Sequence, residues 1–92
     1  MERFTLKLAP AATRDLDRLG DQEAAKILNA LSTLQENPFP RGKLIKKIRG
    51  KQSAFYRLRV DKYRVFFSIE GTEVVIFKVI SKKDADKFIK QL

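Results

Sequence analysis

The sequence contains no cysteine, which excludes disulfide frameworks and thiolate metal sites. It contains no histidine either, so the commonest general base and the commonest zinc ligand are missing together, and any metal would fall to carboxylates alone. No apolar run approaches the length of a membrane span, and the first residues lack the basic-then-apolar pattern of a signal peptide. A cytoplasmic protein with no membrane partner is the expectation. The chain of 92 residues makes one domain, 1–92, whose core is too modest to leave much apolar surface for a deep small-molecule pocket. It holds no repeat, linker or low-complexity segment.

What the sequence does hold is positive charge, concentrated in one part. Residues 1–40 carry five Lys/Arg against six Asp/Glu, whereas residues 41–92 carry fifteen against five, within a net charge of +9. A chain charged in this lopsided way presents a basic face, and the usual partner of a basic face is a polyanion. The alternative is a domain whose many surface lysines serve only solubility, but solubility does not call for such asymmetry.

Phe4, Leu6 and Leu8 alternate with Thr5 and Lys7 and predict a short first strand. Pro10 opens a helix with Ala12, Leu16 and Leu19 on one side and Gly20 at its end. Asp21 is placed to cap a second helix with Glu23 in its first turn, and Ala24, Ile27, Leu28, Leu31 and Leu34 form its apolar stripe. Asn37-Pro38 ends it. The two helices form an αα-hairpin lying on a sheet.

Residues Phe39 to Ser53 read as a connecting loop with a short extended piece at Leu44–Ile48. Its charges are Arg41, Lys43, Lys46, Lys47, Arg49 and Lys51, with no acid among them. Three strands follow, roughly Phe55–Val60, Tyr63–Glu70 and Thr72–Ile80, joined at Asp61-Lys62 and at Glu70-Gly71. Joins this short force an antiparallel meander. Ser81 followed three residues later by Asp84 resembles a capping box, and Ala85, Phe88, Ile89 and Leu92 then make an amphipathic terminal helix. The fold class is α+β: an N-terminal strand and an αα-hairpin packed on an antiparallel β-meander, with a short C-terminal helix.

A two-residue loop at Asp61-Lys62 pairs Val60 with Tyr63, Arg59 with Arg64, Leu58 with Val65 and Arg57 with Phe66. A similar loop at Glu70-Gly71 sets Phe66 beside Val75 and Arg64 beside Phe77. Alternation then puts Tyr56, Leu58, Val60, Tyr63, Val65, Phe67, Val74 and Ile76 on a core face that the two helices cover. The other face holds Arg57, Arg59, Arg64, Phe66, Val75 and Phe77. Arginines directly opposite one another repel by about 0.2–1 kcal/mol at an exposed site, so the cluster asks for an external anion such as phosphate. Alternatively, the arginines pair with Asp84 or Asp86 of the terminal helix. Phe66 and Phe77 either pack beneath that helix or, if it leaves them uncovered, stack on bases.

The run YRLRVDKYRVFFSIEGTEVVIFKV strongly resembles the central strands of the RelE/ParE toxin family, most specifically over Tyr56–Val65; the preceding IRG and the helix ending in NP are similar to it too. The resemblance spans nearly the whole chain and implies a RelE-like toxin of a type II toxin–antitoxin system, the RelE branch favoured. That branch implies a metal-independent mRNA endoribonuclease (an mRNA interferase), without cofactor, acting on ribosome-bound message to inhibit translation. The alternatives are a non-catalytic ParE-like toxin that inhibits DNA gyrase, or an RNA-binding member without cleavage activity. By position, Arg57, Arg59 and Arg64 match the family's basic residues on these strands, and Arg49 matches the basic residue before Gly. A further arginine after the last strand is matched only by Lys82 or Lys83. The family often has a tyrosine shortly afterwards; here Asp86, Phe88 or Ile89 falls in that region. The roles implied are Arg57, Arg59 and Arg64 as phosphate clamp and one of Lys82 and Lys83, crowded by like charge, in proton transfer. Lys43, Lys46, Lys47, Arg49 and Lys51 are the expected RNA-binding residues. The partners implied are the ribosome with its mRNA and a small antitoxin that wraps the basic surface and displaces the terminal helix.

Overall fold

The computed structural model describes residues 3–92. The chain runs β1 (Thr5–Leu8), α1 (Pro10–Asp17), α2 (Asp21–Leu34), β2 (Ile45–Arg49), β3 (Ala54–Val60), β4 (Tyr63–Glu70), β5 (Glu73–Ser81) and α3 (Lys82–Lys90). The five strands form one sheet in the order β1-β5-β4-β3-β2. β1 lies parallel to β5, and the other neighbours are antiparallel. No helix of the described residues is long and apolar enough to cross a membrane.

Pro10 sits at the start of α1, where its missing N–H costs nothing. The N-cap of α2 is Gly20 rather than Asp21, which occupies the first turn with Glu23 and complements the helix dipole from there. Ile27, Leu31 and Leu34 are buried at i, i+4 and i+7, but Leu28, one residue off that line, is 51% exposed and falls outside the core. The buried side of α2 joins Ala12 and Leu16 of α1 over Leu58, Val60, Val65, Phe67, Val74 and Ile76, so the core lies where the strand alternation puts it.

The short extended piece expected at Leu44–Ile48 is a strand paired into the sheet. Residues 45–49 form β2, paired with β3 from Ile45↔Leu58 to Arg49↔Ala54. The meander thus has four strands, and β2 is its edge. Ile45 points into the main core and Ile48 to the opposite face, an odd spacing that breaks the period-two signal.

The β3–β4 hairpin has the expected register, Val60↔Tyr63 through Tyr56↔Phe67. The β4–β5 pairing differs twice. Glu70 pairs with Glu73, so the loop is Gly71-Thr72, with Gly71 at φ +62°. A bulge between Phe66 and Phe67 then brings Phe66 opposite Lys78 and Arg64 opposite Ile80, instead of Val75 and Phe77. A side chain of α1 meets β5 just past it. The Asp15 carboxylate accepts the Val79 N–H at 2.9 Å and lies 3.4 Å from Lys78 Nζ, so a donor of β5 beyond its pairing with β1, which ends at Ile76, is satisfied from the helix layer.

On the opposite face α3 lays Ala85, Phe88, Ile89 and Leu92 over Ile48, Phe55, Phe66, Phe77 and Ile80. Phe66 and Phe88 ring centroids are 5.1 Å apart, and Phe66 has no exposed surface. Phe66 therefore packs fully under the helix, and Phe77 does so in part. Ser81 is the N-cap of α3, but its Oγ donates to the Asp84 carboxylate at 3.0 Å rather than closing a capping box onto backbone.

Asp15→Ala leaves the buried Val79 N–H without an acceptor, and urea unfolding should show a loss of about 1–3 kcal/mol. Asp15→Asn keeps an oxygen acceptor and should lose less. Equal stability of wild type and Asp15→Ala would remove Asp15 as a support of β5.

Candidate functional site

α3 covers the apolar part of its face and stops short of the charged part. Beyond its first turn a hollow of about 210 Å³ is lined by Lys43, Lys46, Arg57, Arg59, Arg64 and Lys82, without a carboxylate or a ring in its wall. These residues come from the loop before β2, from β2, β3 and β4, and from the start of α3. The arginines share a face because Arg59 pairs directly with Arg64 across the hairpin and Arg57 lies two residues along β3.

Two of the three are held by backbone. Arg64 is only 5% exposed, and its Nη1 donates to Tyr63 O at 2.8 Å and Asp61 O at 3.1 Å. Arg57 Nη2 donates to Lys43 O at 3.0 Å, while its buried Nε has no protein acceptor among the described residues. Arg59 is exposed. Burial, followed by repulsion from Arg64 and Arg59, lowers the Arg57 pKa, with Asp86 pulling the other way. Burial, then Arg59, lowers that of Arg64. Guanidinium stays charged at neutral pH regardless, so Arg64 is buried and Arg57 part-buried as cations beside like charge. Pairing with Asp84 or Asp86 does not form: among the described residues the ion pairs are Lys26–Asp61 at 3.7 Å and Lys78–Asp15 at 3.4 Å.

The remaining candidates divide by strand phase. Lys43 and Lys46 join the arginines. Lys47 and Arg49, opposite Tyr56 and Ala54, point to the other face of β2. Gly50 after Arg49 is required by close packing, since a Cβ there would lie 2.7 Å from Ser53 O and 3.2 Å from the Phe55 ring. Lys51 lines a separate hollow of about 540 Å³ with Phe55, Ser68, Phe77 and Leu92. That hollow is larger but carries a single cation, so it lacks the charge density of the smaller one. Of the two lysines after β5, Lys82 lines the cationic hollow and Lys83 lies outside it. No group of three metal-ligating Asp or Glu occurs among the described residues.

The supports of the site are what strand alternation misses. Asp61 stands at φ +53°, a left-handed conformation that Asp tolerates better than most side chains, and so turns its carbonyl to Arg64. Lys62 O accepts the Lys82 N–H at 2.7 Å, which fixes where α3 begins. On the helix side the Tyr63 hydroxyl donates to the Glu23 carboxylate and Asp61 reaches Lys26, tying the same turn to α2.

The Glu23 bond, then burial, then the Glu23 and Asp61 charges raise the Tyr63 phenol above its ordinary value of 10.0. The folded chain therefore holds that proton more tightly than the unfolded chain. The clasp contributes stability that is complete below pH 10.0 and lost as pH rises through the folded value. Glu23→Gln should bring the phenol's ultraviolet titration back toward 10.0, and an unmoved titration would contradict the clasp.

The family model of the ParE toxin of type II toxin–antitoxin systems, parDE, matches residues 6–86. RelE1 of Methanocaldococcus jannaschii is 27% identical over 84 residues, spanning 89% of this chain and 92% of its own. The toxin–antitoxin complex RelBE2 from Mycobacterium tuberculosis contains a chain that superposes with a TM-score of 0.75 at 25% identity, over 87% of this chain and 99% of that one. A chain of the archaeal RelE–RelB complex from Pyrococcus horikoshii shares the fold, with a TM-score of 0.74 at 24% identity over 89% and 97% of the two chains. A strand, two helices, an antiparallel meander and a short closing helix are the RelE-like architecture, and with 81 of its 92 residues inside the family match (6–86) this chain belongs to the ParE toxin family of type II toxin–antitoxin systems.

Proposed function

We propose that this toxin is a metal-independent endoribonuclease that cuts mRNA on the ribosome and so inhibits translation. The observation that carries the reading is the hollow of six cations without a carboxylate, its arginines short of counter-charge. Cleavage of RNA by its own 2′-OH needs that oxygen deprotonated, the charge of the phosphorane stabilised and the leaving 5′-oxygen protonated. Arg57, Arg59 and Arg64 act as the phosphate clamp and stabilise the developing charge. Backbone tethering holds two of them in place before substrate arrives. Lys82, which lines the hollow where Lys83 does not, is the residue assigned to proton transfer. Lys43 and Lys46 extend the phosphate contacts. The ribosome supplies the positioning of the message, and with it much of the rate.

Relatives solved as RelE–RelB and YoeB–YefM complexes support a protein antitoxin here as well. We assign it an acidic or amphipathic segment that covers the basic face. The chain acts in the cytoplasm, where ribosomes are, as one domain.

Two observations favour a second reading: the matching family model is that of ParE, and residues 82–92 contain no tyrosine. In that reading the toxin breaks no bond and inhibits DNA gyrase.

In a purified translation system the protein should cut message only where ribosomes occupy it. Arg64→Ala should lower that cleavage by on the order of a hundredfold or more, with urea unfolding used to confirm that the variant is folded. Intact message together with inhibited gyrase supercoiling would establish the second reading, and undiminished cleavage by Arg64→Ala would remove the clamp assignment.

A further inference from the structure

The charge gathered in the hollow exceeds what one internal phosphodiester supplies. Such a group carries a single negative charge, whereas a terminal phosphomonoester carries about −1.5 to −2 at pH 7 and offers three strong acceptor oxygens. The arrangement of the cations distinguishes a point site from a track. A groove that follows a single strand spreads its cations along the backbone and interleaves aromatic platforms for the bases. Here five segments of chain turn Lys43, Lys46, Arg57, Arg59, Arg64 and Lys82 onto one hollow of about 210 Å³, and no ring lines it. Of the aromatic residues of this face, Phe66 packs against Phe88 beneath α3, while Phe55 and Phe77 pack against each other and line the separate larger hollow, away from the cations.

The donors are set as well as the charges. Arg64 uses Nη1 on two carbonyls, and Arg57 uses Nη2 on one. Arg57 Nε is buried with no protein acceptor among the described residues. Guanidinium has five donors in a fixed fork, so each tethered arginine keeps N–H groups for a ligand while its orientation is already fixed. An anion with three free oxygens can accept from Arg57, Arg59 and Arg64 together, which a diester with two cannot do as fully.

We propose that the hollow is a phosphomonoester site, which takes the doubly charged terminal phosphate of an RNA end in preference to an internal phosphodiester. The proposal rests on reading this hollow as the RNA-facing site, but it does not require that the protein cleave RNA. In function it makes the toxin a binder of phosphorylated RNA ends, so that fragments bearing them compete with intact message.

The experiment measures binding of the full chain to a fluorescent 2′-O-methylated strand, which cannot be cut through its 2′-oxygen. The same strand is made with a 3′-hydroxyl, a 3′-phosphate or a 5′-phosphate, and titrated at low salt between about pH 5 and pH 7.5. The phosphate-ended strand should bind on the order of tenfold more tightly at the upper pH. That advantage should shrink as pH falls through about 6, where the monoester loses its second charge. The protein's own groups facing the hollow are the six cations and, from α3, Asp86, whose field reaches Arg57. With no histidine or cysteine in the chain, a transition near pH 6 belongs to the phosphate, and the hydroxyl-ended strand serves as the blank. Arg57→Gln and Arg64→Gln should each erase the advantage, whereas Lys90→Gln, an exposed change elsewhere on α3, should keep it. Equal affinity for hydroxyl and phosphate ends across the pH range overturns the proposal. If inorganic phosphate alone binds as tightly as the phosphate-ended strand, the source is the free ion and the RNA-end assignment is overturned. Failure to cut message in translation leaves all these outcomes unchanged, so the two readings fail separately.

Discussion

The turn Asp61-Lys62 is the constraint on which the site depends. Two residues close the β3–β4 hairpin, and that length alone puts Arg59 opposite Arg64. The turn's backbone then does three further things. Asp61 O and Tyr63 O hold the Arg64 guanidinium, and Lys62 O receives the first N–H of α3. On the other face Tyr63 and Asp61 reach Glu23 and Lys26 of α2. One turn thus connects the helix layer, the sheet and the terminal helix, and it orients Arg64 while setting the start of the helix that carries Lys82.

The rest of the sheet divides its two faces between different tasks. Under α1 and α2 the face is mostly apolar and supplies most of the core. The face under α3 is split. Its apolar part is sealed by Phe88 and Ile89, and its charged part is left open. Burial of Arg64 and part of Arg57 is costly, and the facing arginines repel as well, which is why both have lowered pKa values. A chain selected only for stability would place a carboxylate, Thr or Val at one of these positions. No acid occurs from Asn37 to Val60, so β2 and β3 bring no carboxylate to the cluster.

The parts of the structure legible in the sequence are those governed by short-range rules. The β3–β4 hairpin was legible because alternating strands flank two polar residues, and the arginine face followed from that register. The terminal helix was legible from the spacing of Ala85, Phe88, Ile89 and Leu92. Elements that depend on distant groups were not. β2 was legible only as a short extended piece, because Ile45 and Ile48 are an odd number apart and lysines fill the interval; without its pairing register, Lys46 could not be separated from Lys47 and Arg49. The β4–β5 register escapes because a bulge shifts the pairing, and the side chain that meets β5 past it, Asp15, lies 64 residues before Val79. The choice between Lys82 and Lys83 needed the start of α3, which a backbone carbonyl at Lys62 decides. The carbonyl tethers of Arg57 and Arg64 have no sequence signal beyond their nearness to a turn and a glycine-containing loop.

The proposed anion site requires that the arginine cluster cost the protein stability when no anion is bound. The most direct test of that cost is the melting temperature of Arg59→Glu against wild type at low salt, with no polyanion present. Replacing a repelling neighbour of Arg64 by an attracting one should raise it by roughly 4 °C or more. A melting temperature that falls or stays the same would mean that Arg59 is there for the fold, and would contradict the account.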